Sequence, residues 1–212
     1  MNIGVIGASG KVGSLVLEEA VKRGHNVTAI VRDAAKVSNK DVIAIEKDIF
    51  NLTTTDLNQF EVVVNAFGAP LGEEDIHVEA GQSLIKALSG TDTRLIVVGG
   101  AGSLYVDEDQ TTALIDTPEF PDAFKPTAKG QGRNLKDLKE TTDLTWTFIS
   151  PSADFRADGV RTGSYQTGKD NLLVNSIGNS YISYADYAIA VVDEIEDKKH
   201  KNERFTVVGE EK

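Results

Sequence analysis

The sequence contains no cysteine, which excludes disulfides, thiolate metal sites and a cysteine nucleophile. Its three histidines, His25, His77 and His200, are scattered without ligand spacing, so no metal site is expected and each reads as a surface or helix-end residue. Basic residues are in deficit: 22 Lys and Arg stand against 33 Asp and Glu, a net charge of −11. A surface of that sign repels phosphate backbones and anionic membranes, so neither nucleic acid nor a membrane is expected as a partner. Long apolar runs are missing too. The first, residues 2–6, is too short for a signal-peptide core, and none approaches a bilayer span, so the expected location is the cytoplasm. Tandem repeats and low-complexity linkers are also absent.

What is present suits one domain over residues 1–212, long enough to bury a proper core. Short β-branched runs at Asn2 to Ile6, Asn26 to Val31, Val42 to Glu46, Glu61 to Asn65, Thr93 to Val98, Leu144 to Ile149 and Glu203 to Val208 read as strands. Helical periodicity falls between several of them, over Lys11 to Arg23, Ile76 to Ser89 and roughly Ala123 to Thr142. A last helix opens at ISYADYAIAVVDE, where Ser183 and Asp186 have capping-box spacing. The alternation predicts an α/β fold with a doubly wound parallel sheet. Two long connections, 99–122 and 150–181, interrupt the rhythm after the fifth and sixth strands. Loops of that length in a compact domain are usually functional, and ligands of open α/β sheets bind where such loops begin. They are expected to form a small substrate lobe toward the C-terminus, with a hint of a further strand at Leu172 to Val174.

The stretch GVIGASGKVG ends the first strand and opens an amphipathic helix, with Gly7, Gly10 and Gly13 in G-x-x-G-x-x-G spacing. In a βαβ unit of about thirty residues that arrangement is a dinucleotide fingerprint. Gly7 permits the tight turn, Gly10 lets the backbone approach a pyrophosphate, and Gly13 lets the helix pack close to the sheet. The residue closing the second strand discriminates between dinucleotides: a carboxylate binds the ribose hydroxyls, whereas a basic group accommodates a 2′-phosphate. Here AIVRDAAK puts Arg32 at that place, with Asp33 next to it. NADP(H) is favoured and NAD(H) remains an alternative. Asp48, closing the third strand in IEKDIF, is a candidate contact to adenine. Ala66, Phe67 and Gly68 follow in NAFG at the end of the fourth strand, where the small Ala66 and Gly68 let the chain pass close to a cofactor.

GASGKVG, GHNVTAIVRD, KDIF, VVVNAFG, RLIVVGGAGSLYVD, TWTFISPSADF and ISYADYAIAVVDE together resemble the atypical short-chain dehydrogenase/reductase superfamily. Within it they resemble the bacterial NADH-flavin reductase group, which carries a Rossmann-like NAD(P)-binding fold. The resemblance covers nearly the whole chain. It implies a pyrophosphate site at Gly7, Ala8, Ser9, Gly10, Lys11 and Val12, a 2′-phosphate or ribose site at Arg32, and an adenine contact at Asp48 and Ile49. It also implies a nicotinamide-side wall at Ala66, Phe67, Gly68, Gly99, Gly100, Ser150, Pro151 and Ser152.

One departure matters. Many members of the wider superfamily use Tyr-x-x-x-Lys to exchange a proton with a carbonyl oxygen. In KPTAKGQGRNLKDL, Lys125 stands four residues before Lys129 where that tyrosine is expected. Hydride transfer to a flavin or quinone-like ring tolerates this loss, because the ring delocalises the developing charge. The expected activity is therefore an NAD(P)H-dependent reductase of a small planar acceptor, with flavin as a possible substrate. Ser103 and Tyr105 are candidate proton or hydrogen-bond donors, and Arg156, Arg161 and Lys169 are cations that could meet a flavin phosphate. The alternatives are a non-catalytic NAD(P)(H)-binding redox sensor and, less favoured, an epimerase or isomerase. Either a monomer or a homodimer is compatible with the sequence.

Overall fold

A computed structural model describes residues 1–211. The strands are β1 (Asn2–Ile6), β2 (Asn26–Val31), β3 (Ile43–Glu46), β4 (Val62–Asn65), β5 (Arg94–Val98), β6 (Trp146–Ser150), β7 (Asp154–Arg156), β8 (Gln166–Gly168), β9 (Tyr181–Ser183) and β10 (Glu203–Val208). Eight of them form one sheet in the order β3-β2-β1-β4-β5-β6-β10-β8, parallel throughout except for β8, which runs antiparallel to β10. The strand order reverses between β1 and β4. In a doubly wound sheet of this Rossmann type, that reversal opens a crevice at the carboxyl ends of the strands. A second, two-stranded sheet pairs β7 with β9.

Because both faces of a parallel sheet are covered, its central strands are apolar along their length. Every residue of β4 and of β6 is buried. The helices are α1 (Lys11–Lys22), α2 (Thr54–Leu57), α3 (Glu74–Leu88), α4 (Lys125–Glu140) and α5 (Tyr184–Asp197). Val16, Leu17 and Ala20 of α1 meet Tyr187, Val191 and Ile195 of α5 in one core. On the opposite face, Leu84 and Leu88 of α3 meet Leu135 and Leu138 of α4 over Trp146 and Phe148. Among the described residues no helix is long and apolar enough to cross a membrane.

Of the expected strands, Asn2–Ile6, Asn26–Val31 and Glu203–Val208 appear with the expected boundaries, and the others are shifted by one or two residues at one or both ends. The 150–181 connection is less of a loop than expected, since it contains β7, β8 and the first residue of β9. Leu172 to Val174 form no strand: Asn171 makes an isolated bridge to Tyr105, and Leu172 N donates to Tyr105 O. The capping box at α5 is half present. Ser183 Oγ accepts from Asp186 N at 3.0 Å, but the fully buried Asp186 carboxylate is taken by an earlier stretch of chain, accepting from Thr162 N, Gly163 N and Thr162 Oγ1. A residue that would close the cap thus ties the long connection to α5.

One charge cluster clamps the sheet to α5. Arg94, at the start of β5, is 4% exposed and pairs with Glu194, which is 3% exposed. Its guanidinium also donates to Glu194 O at 3.0 Å and to Thr147 Oγ1 at 2.5 Å, while His200 Nδ1 lies 2.7 Å from the other Glu194 oxygen. Removing one partner of such a pair strands the other charge in the interior. Glu194→Leu is expected to cost about 3–5 kcal/mol, read as a lowered denaturant midpoint. An unchanged midpoint would contradict the clamp.

Candidate functional site

The turn between β1 and α1 is built by backbone contacts that no side chain could share. Gly7 has a φ of +76°, and a Cβ there would lie 2.6 Å from Ala66 O, at the end of β4. A Cβ on Gly13 would lie 2.3 Å from Gly7 O. Gly7 N donates to Ile30 O at 3.0 Å, so the turn is also fastened to β2. No side chain caps α1, and no acidic residue sits in its first turn. The bond from Ser14 N to Gly10 O is the first of the helix. The amides of Lys11, Val12 and Gly13 are therefore left as orphan donors at the positive end of the helix dipole.

These amides border a cleft of about 970 Å³, at the upper end of the range for small-molecule sites, roughly 300–1,000 Å³. Of the residues expected at a cofactor, Gly7, Ser9, Gly10, Lys11, Val12, Arg32, Ile49, Ala66, Phe67, Gly68, Gly99, Gly100, Pro151 and Ser152 line it. Ala8 and Gly13 lie behind the turn; Ala8 is buried and Gly13 supports the close packing. Asp48 lies outside that lining. Its carboxylate accepts from Phe50 N at 3.0 Å and caps the short turn Ile49–Asn51, so Ile49 and not Asp48 borders the cleft. Ser150 is also outside it: the residue is fully buried, and its carbonyl accepts from Thr206 Oγ1. Ser152 contributes to the wall, but its hydroxyl donates to Val207 O at 2.8 Å.

At the β2 end, Arg32 is exposed and makes no hydrogen bond or ion pair among the described residues. Its neighbour Asp33 is committed, accepting from Ala35 N at 3.0 Å and pairing with Lys36 at 3.6 Å. Lys47, also on the cleft, bonds Asp56 at 2.6 Å, and that hydrogen bond pulls the Asp56 carboxyl down to about 2. Lys11, Arg32 and Lys47 are the cations among the described lining residues, and all three belong to this half.

The other half has no lysine or arginine in its lining and is rich in rings; its charged groups are the carboxylates of Glu119 and Asp154, the latter paired with Arg156. The turn after β5 nests closely because its glycines leave no room for side chains. A Cβ on Gly99 would meet the Phe148 ring at 2.1 Å, and one on Gly100 would meet Gln131 Oε1 at 2.0 Å. Phe124, Thr127, Ala128 and Gln131, spaced i, i+3, i+4, i+7, border the cleft from α4, where Phe124 is the N-cap residue. Phe120 approaches from the 99–122 connection, and Phe155 and Tyr184 lie side by side on the wall, ring centroids 4.1 Å apart and planes tilted by 48°. His77, from α3, sits edge-on to Phe67 with ring centroids 6.0 Å apart. It is 8% exposed, and burial pushes its pKa down.

Sequence reasoning placed the donors elsewhere. Neither Ser103 nor Tyr105 lines the cleft. Ser103 Oγ accepts from Arg204 at 3.2 Å, behind the glycine turn, with Arg204 fixed by Asp170. Tyr105 bridges to Ala113 and Asn171 through its backbone. Arg156, Arg161 and Lys169 are likewise outside: Arg156 pairs with Asp154, and Arg161 reaches Glu19 on α1. Lys125 and Lys129 also lie outside the lining, so the cleft has no tyrosine–lysine pair on α4. The residues missed were His77, Thr127 and Gln131. Only the period of the α4 face could have signalled the last two.

Comparison with known proteins agrees with this geometry. The profile of a family described as NAD(P)H-binding matches residues 7–198. The uncharacterized Bacillus subtilis protein YwnB is 63% identical over 211 residues, covering 99% of both chains. A Streptococcus pneumoniae structure, provisionally named an NADH-flavin reductase, is 47% identical with a TM-score of 0.93, over 99% of this chain and 100% of that one. A Bacteroides thetaiotaomicron structure, provisionally named an epimerase, is 37% identical with a TM-score of 0.84, over 100% and 98%.

Gly13→Ala tests the turn. Alanine should favour the helix by about 1 kcal/mol, yet its methyl would overlap the Gly7 carbonyl, a strain of about 1–3 kcal/mol that moves α1 away from the cleft. The expected result is a roughly tenfold or greater loss of nucleotide affinity by titration. Unchanged affinity would show that the close approach does not matter.

Proposed function

The chain belongs to the NAD(P)H-binding family, and from that premise we propose that it is an oxidoreductase passing hydride from NADPH to a planar acceptor, a flavin or a quinone-like ring. The observation that carries this reading is the division of one cleft into a cationic end beside the glycine turn and a ring-lined end with no lysine or arginine and no tyrosine–lysine pair. The free amides of Lys11 and Val12, with Gly10, would hold the pyrophosphate. Arg32 would hold the 2′-phosphate by charge-assisted hydrogen bonds. A carboxylate poised for ribose hydroxyls would favour NADH, but the nearest one, Asp33, is turned into its own cap. Ile49 would pack against adenine. Ala66, Phe67, Gly68, Gly99, Gly100 and Pro151 would enclose the nicotinamide, which when bound supplies the hydride.

The acceptor end suits a flat ring. Phe120, Phe124, Phe155 and Tyr184 offer apolar and aromatic surface, and aromatic faces and edges pair well with rings. Two-electron reduction of such a ring spreads the developing charge over it, so the chain need not supply a strong acid. Its task is to hold two rings in contact and exclude water. The name of the pneumococcal relative supports a flavin. An epimerase fits less well, since it needs a proton-exchanging pair and α4 brings none to the cleft. The same reading makes the 99–122 and 150–181 connections the substrate side, and the cytoplasm the working location.

Titration of the protein with NADPH and NADH, repeated on Arg32→Glu, tests the cofactor half. Loss of a charge-assisted contact worth about 1.5–3 kcal/mol predicts a preference for NADPH of about ten- to a hundredfold, abolished by the substitution. Steady-state oxidation of NADPH with free flavin or menadione tests the other half. Turnover no faster than without protein, for both acceptors, would overturn the reductase reading.

A further inference from the structure

Among the described residues, three buried side-chain polar atoms have no hydrogen-bond partner: Arg94 Nε, His77 Nε2 and Thr127 Oγ1. Arg94 belongs to the clamp on α5, where its other nitrogens are engaged. The remaining two line the same half of the cleft, from two different helices. They are brought near each other by Gly130, one turn beyond Thr127 on α4. A Cβ at Gly130 would lie 2.6 Å from Glu74 O and 2.9 Å from His77 Cβ, so the two helices are almost in backbone contact there.

An unsatisfied buried polar atom costs about 1–3 kcal/mol, and native interiors keep few of them. Two such atoms on side chains that line one half of the cleft mark a place whose partners come from outside the chain. We propose that His77 Nε2 and Thr127 Oγ1 form a two-point hydrogen-bonding station for the carbonyl or imide edge of the acceptor ring. The chemistry of the pair selects the class. A neutral imidazole and a hydroxyl can each donate to a carbonyl and accept from an N–H, which matches a neutral polar edge. Neither carries charge for a carboxylate or phosphate, and the cleft's cations lie at its other end. The ring is therefore uncharged at this edge, as in the dione edge of a flavin or the carbonyl of a quinone, and a plain aromatic hydrocarbon is excluded. The packing of the His77 ring against Phe67 fixes its approach.

This rests on the oxidoreductase reading for what the cleft binds, but its test is separable. Riboflavin and, separately, menadione are titrated into the wild type, His77→Phe and Thr127→Val without turnover. NADP+ affinity and the denaturant midpoint are measured alongside. Each substitution is expected to weaken the bound ring about tenfold, to leave NADP+ affinity within about twofold, and, for Thr127→Val, not to lower the midpoint, since that hydroxyl has no partner to lose. Failure of the wild type to bind either ring overturns the proposal, as does unchanged ring affinity in both variants. A loss of NADP+ affinity and midpoint in both variants also overturns it, because the pair would then be part of the fold. Ring binding that depends on the pair, with no NADPH oxidation, would sink the oxidoreductase reading and leave the station standing.

Discussion

The contact of backbone on backbone at Gly7, Gly13 and Ala66 sets the rest of the site. A Cβ at Gly7 would lie 2.6 Å from Ala66 O, and one at Gly13 would lie 2.3 Å from Gly7 O. Only glycine lets β1 turn this sharply beside β4 while α1 starts on top of the turn. The consequence is positional: the free amides of α1 are delivered to the point where strand order reverses, at the mouth of the crevice between β1 and β4. Burial on both faces of the sheet then holds that geometry rigid, with α1 and α5 on one side and α3 and α4 on the other.

Electrostatics divides the cleft that results. The chain as a whole carries −11, yet Lys11, Arg32 and Lys47 gather around one end. The acidic side chains near Arg32 and the glycine turn are occupied: Asp33 and Asp48 cap short turns, and Asp56 holds Lys47. A locally cationic pocket in an acidic surface follows from how carboxylates are spent on turns, not from composition. At the far end Arg204 pairs with Asp170 behind the cleft, while Asp154 on its wall is held by Arg156 outside it. The space left is largely apolar and ring-lined, with the carboxylates of Glu119 and Asp154 on its wall and no lysine or arginine.

The legible part of the structure is the part written in local period. β-branched runs gave the strands, and the glycine spacing between strand and helix gave the turn, because both signals are set within about ten residues of chain. Side-chain direction is decided by distant partners and was not legible. Ser103 and Tyr105 follow β5 in sequence, but Arg204, a hundred residues on, draws Ser103 behind the turn. Asp48 stands at a strand end, yet its own next turn claims the carboxylate. His77 reads as a helix-end residue in sequence. It is buried because Gly130, on another helix, permits α4 to close over it, and no pattern near residue 77 carries that information.

A crystal structure of the protein with NADP+ tests the central claim most directly. The account predicts pyrophosphate oxygens on the amides of Lys11 and Val12, the 2′-phosphate on Arg32, and the nicotinamide between Phe67 and Pro151, facing the half of the cleft that holds His77 and Thr127. A nucleotide bound away from the glycine turn, or with its adenosine at the ring-lined end, would contradict it.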